Sequence, residues 1–340
     1  MQKRVLITGA AGFIASHLVD ALIKSDNFVV GIDDLSGGSV DNLPKGTAAV
    51  NNFKFYQVDI ANYSHAEEIF RSHRPQIIYH LASCAREGAS ELQPYKITKT
   101  NVLTSSIVLE LGIKYKMERL VFTSSMSVYG KGKPPFDEKH PVRPVDPYGV
   151  SKAATEQILW QLADTYKFDG IVLRPHNVIG PHQAHYDRYR NVVGIFINSI
   201  LRGEPLYLFG ENHRRAFSNI EDSLPCFIRA GEDKRIVGET INVGGKEFVT
   251  VMELAEEVIK NMPEFSRPEI IQLLPRPHEV ADAYCTTAKS EELLGYKETH
   301  GWQDGVRRQV EWTKAKGKAE WRYDDLPLKP EAMPTPWIKP

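Results

Sequence analysis

The sequence predicts an α/β fold, a doubly wound parallel sheet with a smaller C-terminal lobe, and three features predict it. An apolar strand runs through Gly9 and Gly12 into an amphipathic helix near the N-terminus. Short apolar strands and helices then alternate as far as Leu173, the pattern of repeated β-α-β units that makes neighbouring strands parallel. After Arg174 the alternation gives way to prolines, short strands and isolated helices, which suits a separate lobe.

Residues 4–8 read as the first strand and Phe13 to Ile23 as the first helix. Phe28 to Ile32 is the second strand, ending in Asp33-Asp34. Leu35 to Val50 holds Gly37-Gly38 and Pro44 and reads mostly as loop. Phe53 to Val58 is the third strand, ending at Asp59, and a helix from His65 to Ser72 leads to a fourth strand, Pro75 to His80. Asn101 to Lys116 is a long helical pattern and Leu120 to Ser124 the fifth strand. A Pro-rich loop runs through Pro147, before a helix from Ser151 to Tyr166 and a sixth strand from Gly170 to Leu173. The boundary is expected near residue 175, with 1–175 as the sheet-bearing unit and 176–322 as the lobe across a cleft, some of it crossing back to the sheet. Regular segments are expected in the lobe at Val192–Leu201, Leu206–Phe209, Ile220–Ala230, Thr240–Val243, Val251–Lys260 and Glu269–Leu273. Five prolines between Asp324 and Pro340 predict an extended tail.

Lys and Arg number 42 against 43 Asp and Glu, so the near-zero net charge argues against a nucleic-acid or acidic-membrane partner. The pairs Arg214-Arg215 and Arg307-Arg308 are too short for a polybasic patch. Cys84, Cys226 and Cys285 are an odd set with no Cys-x-x-Cys spacing, which excludes a disulfide framework. His182, His185 and His213 lack metal-ligand spacing, so no metal is expected. Met1 lies almost against the first strand, leaving no room for a signal peptide, and no apolar stretch approaches membrane-spanning length. A cytoplasmic protein is the expectation.

Gly9, Gly12 and Ala15 form a G-x-x-G-x-x-A turn between strand and helix. Gly9 permits the tight turn, Gly12 lets backbone approach phosphate and Ala15 allows close packing of helix on strand. Helix N-terminal amides then face a dinucleotide pyrophosphate. Asp33 at the end of the second strand can accept from both adenosine ribose hydroxyls and repels a 2′-phosphate, which favours NAD over NADP; Asp34 competes for the role. Asp59-Ile60 can hold the adenine amino group and pack its ring.

About 140 residues after the glycine turn stands Tyr148-Gly-Val-Ser-Lys152. A Tyr and a Lys four apart share a helix face, and the lysine cation is expected to lower the tyrosine toward the range of a general base. The run Thr123-Ser124-Ser125 at a strand end can supply a hydroxyl that aligns the substrate. Arg215 and Arg276 have the fork geometry for a diphosphate, and Asn177 can donate to a diphosphate or sugar. Trp160, Leu159 and Leu162 read as core or subunit interface. Together these features point to an enzyme that removes hydride and a proton from a substrate alcohol.

From about residue 3 to 312 the chain resembles the extended short-chain dehydrogenase/reductase family, in its nucleotide-sugar epimerase/dehydratase branch, built on a Rossmann sheet. The carrying motifs are Thr8-Gly-Ala-Ala-Gly-Phe-Ile-Ala15, Asp59-Ile60, His80-Leu-Ala-Ser83, Thr123-Ser-Ser-Met-Ser-Val-Tyr-Gly130, Tyr148-Gly-Val-Ser-Lys152 and Leu173-Arg-Pro-His-Asn-Val-Ile-Gly-Pro181, then Arg215, Asn242-Val-Gly-Gly245 and Arg276-Pro-His-Glu279. The resemblance implies that Ser125 aligns the sugar hydroxyl, Tyr148 is the base, and Lys152 holds both tyrosine and nicotinamide ribose. It places NAD against Gly9, Gly12, Phe13, Ile14, Asp33, Asp34, Asp59, Ile60, Leu81, Ala82, Ser83, Asn101, Ser124 and Pro175. It places the nucleotide sugar against Met126, Asn177, Asn191, Val192, Arg215, Arg276, Glu279 and Ala283.

The departures from the family narrow the chemistry. The 4,6-dehydratases carry an Asp-Glu pair where this chain has Met126 and Ser127, the related decarboxylases a Glu and the 3,5-epimerases a Cys at the second position. The stretch Cys84-Ala-Arg-Glu-Gly-Ala also differs from the sequence usual in the 4-epimerases. What remains is similar to the UDP-galactose 4-epimerases, so the expected partner is a UDP-hexose. Other 4-keto chemistry on a different nucleotide sugar, by a dehydrogenase, reductase or dehydratase, and a catalytically silent NAD-binding regulator are the alternatives. A homodimer is expected, pairing the helices at 101–116 and 151–166 through Leu103, Ile107, Leu111, Ile158 and Leu162. At Ala283, whose position the resemblance sets beside the sugar C2 substituent, a small side chain implies room for an acetamido group.

Overall fold

The structure, a computed structural model, describes residues 2–45, 51–276, 279–323, 326–328 and 336. Its first half is a parallel sheet of β1 (Arg4–Thr8), β2 (Phe28–Asp33), β3 (Phe53–Gln57), β4 (Ile77–His80), β5 (Arg119–Thr123) and β6 (Asp169–Pro175). They lie in the order β3-β2-β1-β4-β5-β6, so the chain reverses direction between β1 and β4. That reversal leaves a crevice at the carboxyl ends of the strands. A seventh strand, Glu239–Val243, comes from the second half and pairs in parallel with β6.

Side chains that alternate along each strand feed two separate cores. Val5 and Ile7 face α1 (Phe13–Lys24) and the later helix Ile220–Glu232, whose Cys226, Phe227 and Ala230 complete that layer. Leu6 faces the other way, onto α2 (Tyr63–His73), α4 (Thr104–Lys114) and α5 (Pro147–Tyr166). The second half thus contributes a strand and a helix to the first sheet and its cover. A third core, around Phe196, Ile197, Leu206, Leu254 and Trp302, holds the remaining lobe together.

Several sequence expectations need correction. The long helix begins at Pro94 rather than Asn101: α3 (Pro94–Thr98) passes through a wide π turn at Lys99–Leu103 into α4. The next helix begins at Pro147 rather than Ser151. Pro147 suits a first helical turn, and the Asp146 carboxylate caps it by accepting from Gly149 N at 2.8 Å. Tyr148 therefore sits in the first turn of α5, with Lys152 one turn further along. Helices Ala288–Leu294 and Gly301–Lys316 and several two- and three-residue strands were not anticipated. Most of the Pro-rich tail lies outside the described residues. No helix among the described residues is long and apolar enough to cross a membrane.

Candidate active site

A cleft of about 670 Å³ opens at the carboxyl ends of the sheet strands, between the sheet and the lobe. Its floor is the turn after β1. Gly9 has φ of +70°, and a Cβ there would stand 2.9 Å from Ala82 N. Gly12 is the N-cap of α1 and offers no side chain to its first-turn amides, so those donors at Phe13 and Ile14 remain open to an anion. The turn is locked from behind by Thr8, whose Oγ1 accepts from Leu81 N and Ala82 N, both at 3.1 Å, and contacts His80 Nδ1 at 2.7 Å. His80 is buried, and burial pushes its imidazole down to about 3. Backbone without side chains beside a row of free amides fits a dinucleotide pyrophosphate.

Asp33 and Asp34 stand at the far end of the floor, Asp33 buried and Asp34 exposed. The Asp33 carboxylate accepts from Ala11 N at 3.0 Å and Leu35 N at 2.7 Å. Burial nevertheless raises it above the ordinary carboxylate value. Asp59 is exposed at the rim, and Ile60 is buried beside it. Leu81, Ala82, Ser83 and Pro175 complete the wall on this side.

Ser125, Tyr148 and Lys152 converge on the middle of the cleft. Lys152 is buried and donates from Nζ to Thr123 O at 2.8 Å, with the Tyr148 ring centroid 5.8 Å away. Burial lowers its ammonium to about 7, against the pull of Glu156. Tyr148 is also buried. Burial raises its phenol above the ordinary value, and the interaction with the Ser125 hydroxyl only partly offsets this. The expected lowering of the tyrosine by the lysine is not seen: Tyr148 is raised, with desolvation the largest cause. The hydroxyl run is sorted by geometry. Ser124 donates to Glu156, which also accepts from Arg174 Nε at 2.9 Å, so Ser124 is committed to the protein. Ser125 is the hydroxyl in contact with Tyr148.

The opposite wall carries Asn177, Asn191, Val192, Arg215, Arg276 and Glu279. Arg215 donates to Ala281 O at 2.7 Å and Val280 O at 2.6 Å, which fixes its fork. Glu279 lies 2.7 Å from Arg276 and 3.6 Å from Arg215. Burial alone would raise Glu279; Arg276 and then Arg215 hold it below the ordinary value. Asn177, in a positive-φ conformation, ties this wall to the strand of Arg215 by donating to Ala216 O at 2.9 Å. Asn191 caps the helix Val192–Arg202, whose N-terminus opens on the cleft.

Three expected residues stand off the cleft wall. Asn101 is buried behind it, accepting from Cys84 N at 2.8 Å and donating to Ser151 Oγ at 2.9 Å, so it holds the loop after β4 against α5. Met126 packs with Val128, Tyr129 and Phe136. Ala283 pairs with Arg215 in a short strand, and Tyr284 stacks on Phe248 with centroids 4.4 Å apart. Conversely, Glu87, Asp146 and Arg190 line the cleft without having been singled out. Glu87 lies in the stretch that departs from the 4-epimerase pattern, and that departure was the available signal. Arg190 reaches over Gly37, where a Cβ would strike its guanidinium.

Near the C-terminus, Arg322, Leu326 and Leu328 contact residues beside the cleft. Arg322 N donates to Tyr186 O at 2.8 Å and its guanidinium to Ser36 O at 2.6 Å. Leu328 N donates to Leu92 O at 3.2 Å, and Leu326 packs on Ala89, Leu92 and Tyr189. Among the described residues no group of three His, Cys, Asp or Glu is placed to hold a metal.

The family model described as "NAD dependent epimerase/dehydratase family" matches residues 5–244. The chain belongs to this family. Its members are NAD-dependent enzymes acting on nucleotide sugars, and the chain is accordingly an NAD-dependent enzyme of the nucleotide-sugar branch. It is 33% identical to a putative UDP-glucose 4-epimerase of Methanocaldococcus jannaschii, over 91% of this chain and 98% of the relative. It is 29% identical to a mouse dTDP-D-glucose 4,6-dehydratase, over 99% of this chain and 95% of that one. The Thermotoga maritima UDP-glucose 4-epimerase, solved with UDP-glucose, superposes with a TM-score of 0.85 at 32% identity, covering 92% of this chain and 99% of that one.

Proposed function

We propose that the protein is a nucleotide-sugar 4-epimerase acting on a UDP-hexose. The observation that carries this reading is the convergence of Ser125, Tyr148 and Lys152 on the cleft, with Met126 and Ser127 where a dehydratase holds its acid and base. Bound NAD supplies the hydride acceptor and, for a redox-neutral reaction, the donor. Ser125 aligns the sugar 4-hydroxyl, and Tyr148 takes its proton and later returns it. Lys152, fixed by Thr123 O, holds its charge beside the tyrosine and the nicotinamide ribose. Arg215 and Arg276 hold the diphosphate, so the sugar is anchored at one end while its oxidised ring turns. Asp33 accepts from the adenosine ribose.

The test is incubation with UDP-, GDP-, CDP- and dTDP-sugars, with products read by NMR. Inversion at C4 of a UDP-hexose is the expected result. Loss of water from the sugar, or net accumulation of an oxidised sugar, would instead identify other 4-keto chemistry. NAD binding without conversion of any sugar would identify a silent regulator.

We further propose a homodimer. Ile107 and Leu111 belong to the monomer's own core, which corrects part of the expected interface. The outward face of α3 to α5 instead presents Tyr95, Leu103, Val150 and Tyr166, from 46% to 78% exposed. A second copy that covers this apolar face across a two-fold axis is the proposed occupant. Light scattering at micromolar concentration should give twice the chain mass, and a monomer there would refute it.

A further inference from the structure

We propose that Glu87 is a second acid–base residue of this site, exchanging the proton on the carbon next to the C4 carbonyl of the oxidised sugar. The proposal rests on the C4 oxidation proposed above. Ser127 is no acid or base itself, but its hydroxyl donates to Glu87 Oε2 at 3.0 Å. Ser125 Oγ donates to Ser127 Oγ at 3.0 Å, and Ser125 is in turn hydrogen-bonded to Tyr148. A carboxylate from the short helix Glu87–Leu92 thus stands beside a position whose own residue lacks one.

Glu87 lies in the cleft that also holds Tyr148, Arg215 and Arg276. It lines the cleft, and its charge acts on Tyr148 at one side and on Arg215 and Arg276 at the other. A hexose that joins the base to a diphosphate on those arginines spans that interval. Among the described residues no cation lies within ion-pair distance of Glu87, so its charge is not already spent. The second carboxylate nearby, Asp146, is engaged in capping α5 and also lies within reach of Ser90 Oγ at 3.4 Å. Glu87 is the carboxylate able to approach the substrate.

The step balances without an added oxidant. A carbonyl at C4 acidifies the hydrogens on C3 and C5, because the electron pair left behind delocalises onto O4. One Glu87 oxygen forms an O–H bond as the C–H bond breaks. The freed pair becomes a C=C bond, and the C4–O4 π pair moves onto O4, where Ser125 and Tyr148 can donate to it. Reversal returns a proton from Glu87 to carbon. Since Glu87 is open to the cleft, its proton exchanges with water in between.

The experiment uses dTDP- and UDP-linked 4-keto-6-deoxyhexoses prepared beforehand, so that no hydride transfer is needed. Each is incubated with the NAD-loaded protein in D₂O, and NMR follows loss of the C3 and C5 proton signals. Wild type should wash in deuterium at one of these carbons well above the buffer rate. Glu87→Gln should slow this about 100-fold or more, the usual effect of removing a positioned acid–base group. Glu87→Asp should keep part of it, with NAD content and circular dichroism unchanged in both variants. Exchange at the buffer rate in wild type, or at the wild-type rate in Glu87→Gln, overturns the proposal. Conversion of nucleotide sugars at C4 without exchange of the keto sugars would leave the 4-epimerase reading standing and this one refuted. Exchange through Glu87 without conversion of any sugar would do the reverse.

Discussion

On the sheet side of the cleft, the functional side chains are fixed by backbone or by buried partners on neighbouring strands. Lys152 is held by Thr123 O, Ser124 by Glu156, His80 by Thr8 and Ser105, and Asp33 by two amides. On the lobe side, Arg276 and Glu279 lie on a loop and are fixed largely by each other, with Arg215 on a three-residue strand beside them. The first wall is preorganised for a cofactor and a proton transfer, and little need move on binding. The second is an ion-pair network whose arginines, on the proposed reading, would loosen their hold on Glu279 to take up a diphosphate. Rigid geometry serves the chemical step, and exchangeable charge serves capture of the substrate.

The comparison is broken most directly at Tyr148. Tyr148→Phe should lower kcat by about 100- to 10,000-fold while NAD content is retained, as cofactor absorbance of the purified protein would show. Near wild-type turnover would mean that the rigid wall does not carry the proton transfer.

Arg276→Ala tests the other wall. Hydrogen bonds to charged groups contribute about 1.5–3 kcal/mol, so KM should rise about 10- to 150-fold with kcat much less affected. Glu279→Gln, which releases Arg276 without removing it, should change KM less. A loss confined to kcat in Arg276→Ala would place the arginine in the chemical step.

A smaller effect is expected at Asp33. Asp33→Ala should weaken NAD about tenfold relative to NADP, on the order of one or two hydrogen bonds at about 1 kcal/mol each. Calorimetric titration of both cofactors measures it. An unchanged NAD-to-NADP ratio would show that Asp33 serves only to hold the glycine turn.

A separate effect concerns stability. Burial lowers His80 and His176 to about 3, so between that value and about 6.5 the unfolded chain binds protons that the folded chain refuses. Stability is then complete above about pH 6.5 and falls as the pH drops, by up to about 1.36 kcal/mol per pH unit for each histidine. His80→Gln should flatten that slope by about one proton in denaturant titrations at pH 4 to 6. An equal slope in the variant would mean that His80 titrates normally when folded.

The sheet side was also the more legible from sequence. Strand, glycine turn and helix are local in the chain, and their side chains are set by backbone periodicity, so Gly9, Asp33, Tyr148 and Lys152 fell where expected. The start of α5 was misplaced because Pro147 reads as a breaker unless its capping Asp146 is noticed. Asn101 was legible as part of the site but not as a brace, since its partners Cys84 and Ser151 lie 17 and 50 residues away. The lobe was read less well. Its strands are two to five residues long and pair across long sequence separations, so periodicity has too few residues to register. Ala283 illustrates the limit: its place in the chain was clear, but its pairing with Arg215 is a tertiary fact. Glu87 was visible only as an oddity in a motif.

Arg322 and the stretch 326–328 bear on the net reaction. Arg322 bonds to Tyr186 and to Ser36 at the cleft, and Leu328 to Leu92 on the wall beside Glu87. If the protein works as proposed, a dinucleotide held beneath these bonds would be a resident rather than a visitor. A resident cofactor cannot carry electrons from one protein molecule to another. On the proposed reading, each molecule that receives a hydride would give it back before working again, to the sugar it came from. A chain closed in this way is suited to rearranging its substrate, leaving the oxidation state of the cell's nicotinamide pool untouched.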